Sequence, residues 1–328
     1  LNIVVTGGAG FIGSTLVDQL LKDGHAVTVL DNLSTGRRQN LDKCEGQHGF
    51  RLCEVDVALE QDLQKYFEGV EWVFHLAALA DIVPSIQRPL DYHRSNVDGT
   101  VNVLEASRRA GAKRFIYAAS SSCYGIAGIY PTPESAPAQP QYPYALTKYL
   151  GEQYVMHWGK VYKLPVVSLR FFNVYGPRSR ASGTYGAVFG VFLAQKLHRL
   201  PFTVVGDGTQ TRDFIFVTDA VGACIMAASS NLHDEILNVG SGQTYSVNTL
   251  VELLGGDAVY VPKRPGEPDR THADTAKIRK LLGWEPRVSF EEGVKILLRD
   301  IDCWREAPVW TPDKIMDATQ EWFHYLGT

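Results

Sequence analysis

Residues 4 to 13 read Val4-Val5-Thr6-Gly7-Gly8-Ala9-Gly10-Phe11-Ile12-Gly13, a β-branched run that breaks into glycines at positions 7, 10 and 13 just where a helical pattern begins. Glycine lets the backbone turn tightly and come close to a pyrophosphate. The first turn of a helix adds unpaired N–H groups at the positive end of its dipole. A glycine triplet alone is equally consistent with a simple tight turn, so the context decides. Eighteen residues beyond Gly13, Asp31 closes the next β-branched run, Ala26 to Leu30. A carboxylate there accepts both hydroxyls of an adenosine ribose and repels a 2′-phosphate, which favours NAD over NADP. Arg37 and Arg38 lie close enough in sequence to soften that preference.

The same texture extends outward. Asn2 to Thr6, Ala26 to Leu30, Phe50 to Glu54, Glu71 to Leu76, Arg114 to Ala118 and Pro165 to Arg170 read as continuous apolar runs. Helix-length segments separate them, among them Ile12 to Asp23, Val97 to Ala110 and Tyr144 to Lys163. Strands buried on both faces and alternating with helices predict an α/β fold, a Rossmann-like doubly wound parallel sheet. After Gly176 the prolines and glycines cluster and the helical pieces shorten. Residues 1–175 are therefore expected to form the cofactor-binding domain and 176–328 a smaller C-terminal α/β substrate lobe, with a strand near 236–239 returning to the main sheet.

Composition narrows the function. The 328 residues are 45% apolar and 21% charged, ordinary values for a globular chain, which excludes disordered, collagen-like and coiled-coil readings. A net charge of -4 is unsuited to covering a run of nucleic-acid phosphates. The cysteines Cys44, Cys53, Cys123, Cys224 and Cys303 are odd in number, scattered and without a C-x-x-C pair, so neither a disulfide framework nor a metal site is expected. No apolar run approaches the roughly 20 residues that span a membrane, and the first residues read as a strand rather than a leader. The expectation is a cytoplasmic chain without membrane or nucleic-acid partners.

The spacing G-x-x-G-x-x-G resembles that of the short-chain dehydrogenase/reductase superfamily, and the chain length resembles its extended branch. Asp56-Val57 looks like the pair that contacts adenine, Leu76-Ala77-Ala78 like the loop after the fourth strand, and Asn96-Val97-Asp98-Gly99-Thr100 like a helix-opening N-x-x-G-T. The resemblance implies that NAD is held by the glycine loop with Phe11 and Ile12, by Asp31 and Asn32, and by Asp56, Val57, Leu76, Ala77, Ala78 and Asn96.

Tyr144-Ala145-Leu146-Thr147-Lys148 puts a phenol and an ammonium one helical turn apart. It resembles the superfamily's catalytic pair, in which the lysine charge and the oxidised nicotinamide lower the tyrosine pKa so that a phenolate acts as base, and the lysine also holds the nicotinamide ribose. Twenty-four residues upstream, Ala118-Ala119-Ser120-Ser121-Ser122-Cys123-Tyr124-Gly125 follows the fifth strand. In nucleotide-sugar epimerases of this superfamily a Ser or Thr here bonds the sugar's 4-hydroxyl. Counting back from Tyr124-Gly125 gives that role to Ser120, with Ser121 as a second catalytic contact, Ser122 as a substrate contact, and Cys123 as buried filler.

Downstream the likeness to nucleotide-sugar enzymes sharpens. Arg170 to Pro177 resembles R-x-F-N-V-Y-G-P, whose asparagine, here Asn173, touches the substrate phosphate. Gly206 to Phe214 resembles G-x-G-x-x-x-R-D-[FY], and Arg264 to Glu267 resembles R-x-G-[DE]. These imply that Arg212 and Arg264 grip a diphosphate bidentately and that Glu267 meets the nucleotide ribose. Thr271 falls where related epimerases wall off the C2 substituent, and a small residue there admits an N-acetyl group. The tail from Ala307 to Thr328, with Trp310 and Trp322, carries no readable motif.

A 4-epimerase and a 4,6-dehydratase start alike, Tyr144 taking the 4-hydroxyl proton as hydride leaves C4 for NAD+. The dehydratase then needs an acid and a base, usually an Asp-Glu pair just after the catalytic Thr, and this chain has Ser121 and Ser122 there. That favours epimerisation of a nucleotide-diphosphate hexose, an N-acetylhexosamine on the Thr271 argument. The dehydratase alternative rests on Asp81, on the loop after the fourth strand, and on the similarity of Ser120 to Gly125, Tyr130 to Glu134 and Pro177 to Phe192 to legionaminic-acid-type dehydratases. A silent NAD-sensing protein on the same scaffold would be expected to lack Tyr144 or Lys148. Val101, Leu104, Leu150, Tyr154 and Trp158 leave apolar faces on two helices that family members pair across a dimer axis, so a homodimer is expected.

Overall fold

Seven strands form one parallel sheet in the order Glu235–Val239, Val166–Phe171, Arg114–Ser120, Trp72–His75, Asn2–Thr6, Ala26–Asp31 and Phe50–Glu54. The structure, a computed structural model, describes residues 1–179 and 188–327. From the first strand the chain winds outward through Ala26–Asp31 and Phe50–Glu54, then crosses back to lay Trp72–His75 on the other side of it. That reversal opens a crevice at the carboxyl ends of the strands, where doubly wound sheets bind their ligands.

Helices cover both faces, which is why the strands are apolar without alternation. Phe11–Lys22 lays Leu16, Val17 and Leu20 on one face, joined there by Ala220, Ala223 and Ala227 of Val217–Ser229. Gly99–Ala110 and Pro143–Tyr162 bring Val103, Leu104 and Val155 against Val73, Phe115 and Tyr117 on the other. All six residues of Val166–Phe171 are buried. Truncating Leu16, Leu20 or Leu104 to alanine costs about 2–5 kcal/mol.

Three expectations are corrected. Phe50–Glu54 is an edge strand in which Arg51 and Glu54 are exposed, so it is half-buried rather than sandwiched. Asn96 does not open a helix. Arg94–Asp98 form a single π-helical turn inside a helical run from Pro89–His93 into Gly99–Ala110. Leu104 is fully buried in the sheet-facing core rather than on an outer face, packed with Val73, Phe115 and Tyr117.

A second core lies beyond Gly176. Tyr175, Phe189, Phe214, Phe216 and Phe290 stack on one another, and Trp304, Ile315 and Trp322 from the last sixth of the chain pack into the same cluster. Short strand pairs frame it: Asn173–Tyr175 with Phe214–Phe216, Phe202–Val205 with Ala258–Val261, and Thr211–Arg212 with Tyr245–Ser246. Glu235–Val239 returns to the main sheet beside Val166–Phe171. No helix among the described residues is long and apolar enough to cross a membrane.

Candidate active site

A cavity of about 640 Å³ opens at the switch point and runs between the two cores. Its floor is the glycine loop. Gly7 has φ +71°, and a Cβ there would sit 2.6 Å from the backbone nitrogen of Ala77, so only glycine lets the first strand's turn touch the loop after the fourth. A Cβ on Gly13 would run into the carbonyl oxygen of Gly7. Gly7, Gly10, Phe11, Ile12 and Gly13 all line the cavity, at the N-terminus of Phe11–Lys22.

Asp31 and Asp56 stand at the ends of the next strands, both on the cavity wall with Asn32 and Val57. The Asp31 carboxylate accepts from the backbone N–H of Ala9 (2.9 Å) and of Leu33 (2.8 Å), which aims it. Burial raises its pKa, and those two bonds oppose the rise. Asn32 donates to Asp56 at 2.9 Å. Arg38 pairs with Glu45, and neither it nor Arg37 lines the cavity. These shapes fit an adenosine ribose with free hydroxyls, and a glycine-floored helix terminus fits a pyrophosphate.

Leu76, Ala77 and Ala78 complete that wall. Their loop is fixed by a buried hydrogen-bond chain. The N–H of Ala77 donates to Thr6 Oγ1 (3.2 Å), which lies 2.7 Å from His75 Nδ1. His75 Nε2 lies 2.9 Å from Thr100 Oγ1, which donates to the carbonyl of Asn96. Asn96 itself is 1% exposed and does not line the cavity. Its amide bonds Leu79 in both directions and donates to Thr147 Oγ1, which caps back to the carbonyl of Tyr144. Asn96, which sits in the π turn, thus ties the loop to the helix that carries Tyr144.

Tyr144 lines the cavity near the start of Pro143–Tyr162, with Ser120, Ser121 and Ser122 on the cavity wall beside it. Burial raises the Tyr144 pKa, and a hydrogen bond with Ser120 lowers it. Ser120 Oγ lies 2.8 Å from Ser122 Oγ. Lys148 departs from expectation. It does not line the cavity, and its ammonium sits 4.4 Å over the Tyr117 ring, where burial pushes its pKa down to about 7. Cys123 is buried with its thiol pushed up to about 12, which suits filler and not a nucleophile.

In the second lobe Asn173, Arg212, Arg264, Glu267 and Thr271 all face the same cavity. The two arginines converge, and what they converge on is Glu267: Arg212 Nη2 lies 2.9 Å from one carboxylate oxygen and Arg264 Nε 3.2 Å from the other. Two guanidiniums brought to one place can each offer a planar fork to the oxygens of a diphosphate. The Asp213 carboxylate beside Arg212 accepts from Ser241, Gly242 and Ala273 backbone N–H groups, so one buried acid ties its own loop to two others. Arg170 forms a buried ion pair with Glu152 (2.6 Å) and does not line the cavity, whereas Asn173 does. Asp81 lines the cavity at the start of Ile82–Gln87.

The cavity residues that the sequence left without a role include Gln141 and Tyr142, just before Tyr144, and Trp310 and Trp322 from the tail. Residues 180–187, part of the Pro177 to Phe192 similarity, lie outside the described residues. No group of three or more metal-ligating side chains occurs among the described residues.

Residues 3–240 match the NAD dependent epimerase/dehydratase family, and 257–297 match GDP-mannose 4,6 dehydratase. The chain belongs to the NAD-dependent epimerase/dehydratase family, within the extended short-chain dehydrogenase/reductases, and is an enzyme of that kind with NAD as its cofactor. It is 37% identical over 303 residues to the UDP-glucose 4-epimerase of Mycolicibacterium smegmatis, covering 90% of this chain and 96% of that one. The UDP-glucose 4-epimerase of Thermotoga maritima, solved with UDP-glucose, is similar with a TM-score of 0.86 and 35% identity, over 93% of this chain and 99% of that one. A UDP-N-acetylglucosamine 4-epimerase from Methanobrevibacter ruminantium, in complex with UDP-N-acetylmuramic acid, gives 0.85 and 34% over 91% and 98%.

Proposed function

We propose that this enzyme inverts C4 of a UDP-linked hexose, with a 2-acetamido sugar as its substrate, through a transient 4-keto sugar. The reading is carried by the acids of the cavity. Among the described residues lining it these are Asp31, Asp56, Asp81 and Glu267. Asp31 and Asp56 stand at the adenosine end, and Glu267 is held by two arginines. Ser120, which bonds Tyr144, and the Ser121 and Ser122 that follow it bring hydroxyls to the cavity wall, poor acids and poor bases.

Bound NAD+ supplies the hydride acceptor and donor for C4. Tyr144 removes the 4-hydroxyl proton and gives it back after the ketone has turned over, while Ser120 holds the same oxygen. Lys148, one turn along the helix and buried, contributes positive charge beneath the base. Asn173 with Arg212 and Arg264 grips the diphosphate and leaves the sugar free to rotate. Epimerisation needs no further proton transfer. Loss of water across C5 and C6 needs two.

Asp81 supports the second reading, a 4,6-dehydratase, because it brings a carboxylate to the cavity wall at the start of Ile82–Gln87. Its test is common to both readings. The purified enzyme is given UDP-GlcNAc and UDP-glucose without added cofactor and the products are followed by NMR. An axial C4 product with intact C6 supports epimerisation, and a 6-methyl signal with a 4-ketone replaces it by dehydration. Absence of turnover with NAD retained would favour the sensing role that Tyr144 and Lys148 argue against.

The helix Pro143–Tyr162 exposes Leu146, Tyr154, Val161 and Tyr162, with Leu150 and Trp158 half-buried between them. We propose a second copy of this chain as the partner of that face.

A further inference from the structure

We infer that the C-terminal segment from Ala307 to Leu326 is a built part of the nucleotide-sugar site, in which Trp310 walls the cavity and Trp322 positions Arg264 for the diphosphate. The two family matches end at residues 240 and 297, so this segment lies beyond both. It nevertheless contributes Ala307, Pro308, Trp310 and Trp322 to the cavity wall.

The anchoring is specific. Trp322 is 1% exposed, and its indole N–H donates to the carbonyl of Pro265 at 2.6 Å, fixing the turn that carries Arg264 and Glu267. The Arg264 guanidinium lies 5.3 Å from the centre of the Trp322 ring. A guanidinium laid on an indole loses rotamer freedom before any anion arrives, and its fork stays planar and aimed. On the other side Tyr142 meets Trp322 with ring centres 5.9 Å apart and runs nearly parallel to Tyr144, 6.5 Å away at 7°. One indole thus touches both the diphosphate grip and the neighbour of the base.

The segment is held independently at its other end. Gln195 donates to the carbonyl of Trp310 at 2.6 Å and to Thr203 Oγ1 at 2.9 Å, and Thr203 also lines the cavity. Between these anchors Pro312–Leu326 begins with Thr311 accepting from the N–H of Lys314 and buries Ile315 in the second core. A segment serving only as a cap on the fold would have no need to send both Trp310 and Trp322 to the ligand cavity.

The inference rests on the diphosphate reading of Arg212 and Arg264, and the experiment separates the two. Binding of UDP and of GDP to the NAD-loaded enzyme is measured by calorimetry for the wild type, Arg264→Ala, Trp322→Leu, Trp322→Phe and Trp310→Ala, alongside KM and kcat for the sugar nucleotide turned over. Trp322→Leu should raise the nucleotide Kd and the KM roughly tenfold, with kcat held within about threefold, and Trp322→Phe should recover most of the loss because a ring still carries the guanidinium. If neither nucleotide binds the wild type, or Arg264→Ala leaves binding unchanged, the diphosphate reading fails and takes the inference with it. If Arg264→Ala weakens binding but Trp322→Leu, folded and carrying NAD, binds and turns over like the wild type, the inference alone is overturned. Should Trp322→Leu fail to fold, Trp310→Ala at a half-buried position decides: a raised KM supports the role of the tail, and an unchanged one refutes it.

Discussion

The hydroxyl of Thr271 donates to the side-chain oxygen of Asn173 at 2.9 Å, joining two cavity residues 98 positions apart in the chain. The same hydroxyl accepts from the backbone N–H of Asp213 at 3.2 Å. Thr271 is therefore pinned and small, and it leaves room on its side of the cavity. A tyrosine there would fill that room and release Asn173. Thr271→Tyr is expected to lower kcat/KM for a 2-acetamido sugar nucleotide by roughly a hundredfold while plain hexose is still turned over, since steric exclusion acts against the larger substrate alone. Comparing UDP-GlcNAc with UDP-glucose in both proteins checks it. Equal losses on the two substrates would show Thr271 to be an ordinary support for Asn173.

Much of this site was readable because its chemistry is local. The turn at Gly7, the carboxylate at Asp31 and the one-turn spacing of Tyr144 and Lys148 follow from backbone geometry over a few residues, and the fold follows from runs such as Val166–Phe171 that stay apolar throughout. What escaped is tertiary. Asn96 looks like a ligand residue by position, but it sits in a π turn and its amide is committed to Leu79 and Thr147. Trp322 has no neighbours in sequence to mark it, since its partners Pro265, Arg264 and Tyr142 arrive from 57 residues away and more. Phe50–Glu54 exposes Arg51 and Glu54 at the edge of the sheet, two charged positions that a purely buried reading overlooks.

Replacing Tyr144 with phenylalanine should cost two or more orders of magnitude in turnover and leave NAD bound. The ring is held by Tyr142 in parallel and by Tyr92 edge-on at 6.5 Å, contacts that a phenyl group keeps. The measurement is kcat together with the NAD content of the purified variant. Turnover close to wild type would remove Tyr144 from the role of base.

Asp31→Ala should weaken NAD by roughly ten- to a hundredfold and relax discrimination against NADP. It deletes the carboxylate that meets the ribose and frees the N–H groups of Ala9 and Leu33, which then offer donors where there was an acceptor. Titrating both cofactors into the apoenzyme checks the change. If affinity and preference stay as they were, Asp31 only terminates its strand.

The outward face of Pro143–Tyr162 gives an association prediction. Light scattering at micromolar concentration should report twice the mass of 36.3 kDa, and Tyr154→Lys together with Tyr162→Lys should return it to the monomer value. A wild-type monomer would leave that face without its proposed partner.

The last expectation concerns pH. His75 is fully buried between Thr6 and Thr100, and burial lowers its pKa from the usual 6.5 to about 3, with the nearby Lys148 charge adding to the shift. Thr6 Oγ1 already accepts from Ala77 and Thr100 Oγ1 already donates to Asn96, so the chain is satisfied with a proton on Nε2 and none on Nδ1. A second proton would turn Nδ1 into a donor facing the Thr6 hydroxyl that donates to it. The unfolded chain takes up that proton near pH 6.5 and the folded one only near 3, so stability is complete above 6.5 and falls as pH drops between those values. The full difference is about 5 kcal/mol. Asp31 and Asp213, whose pKa values burial raises, work in the opposite direction, but they are common to wild type and variant. His75→Gln should therefore be less stable at pH 7, through a poorer fit between the two threonines, and should lose less of its stability on acidification. Chemical denaturation at intervals from pH 7 to 4 gives both slopes, and parallel slopes would mean that another group carries the acid sensitivity of the fold.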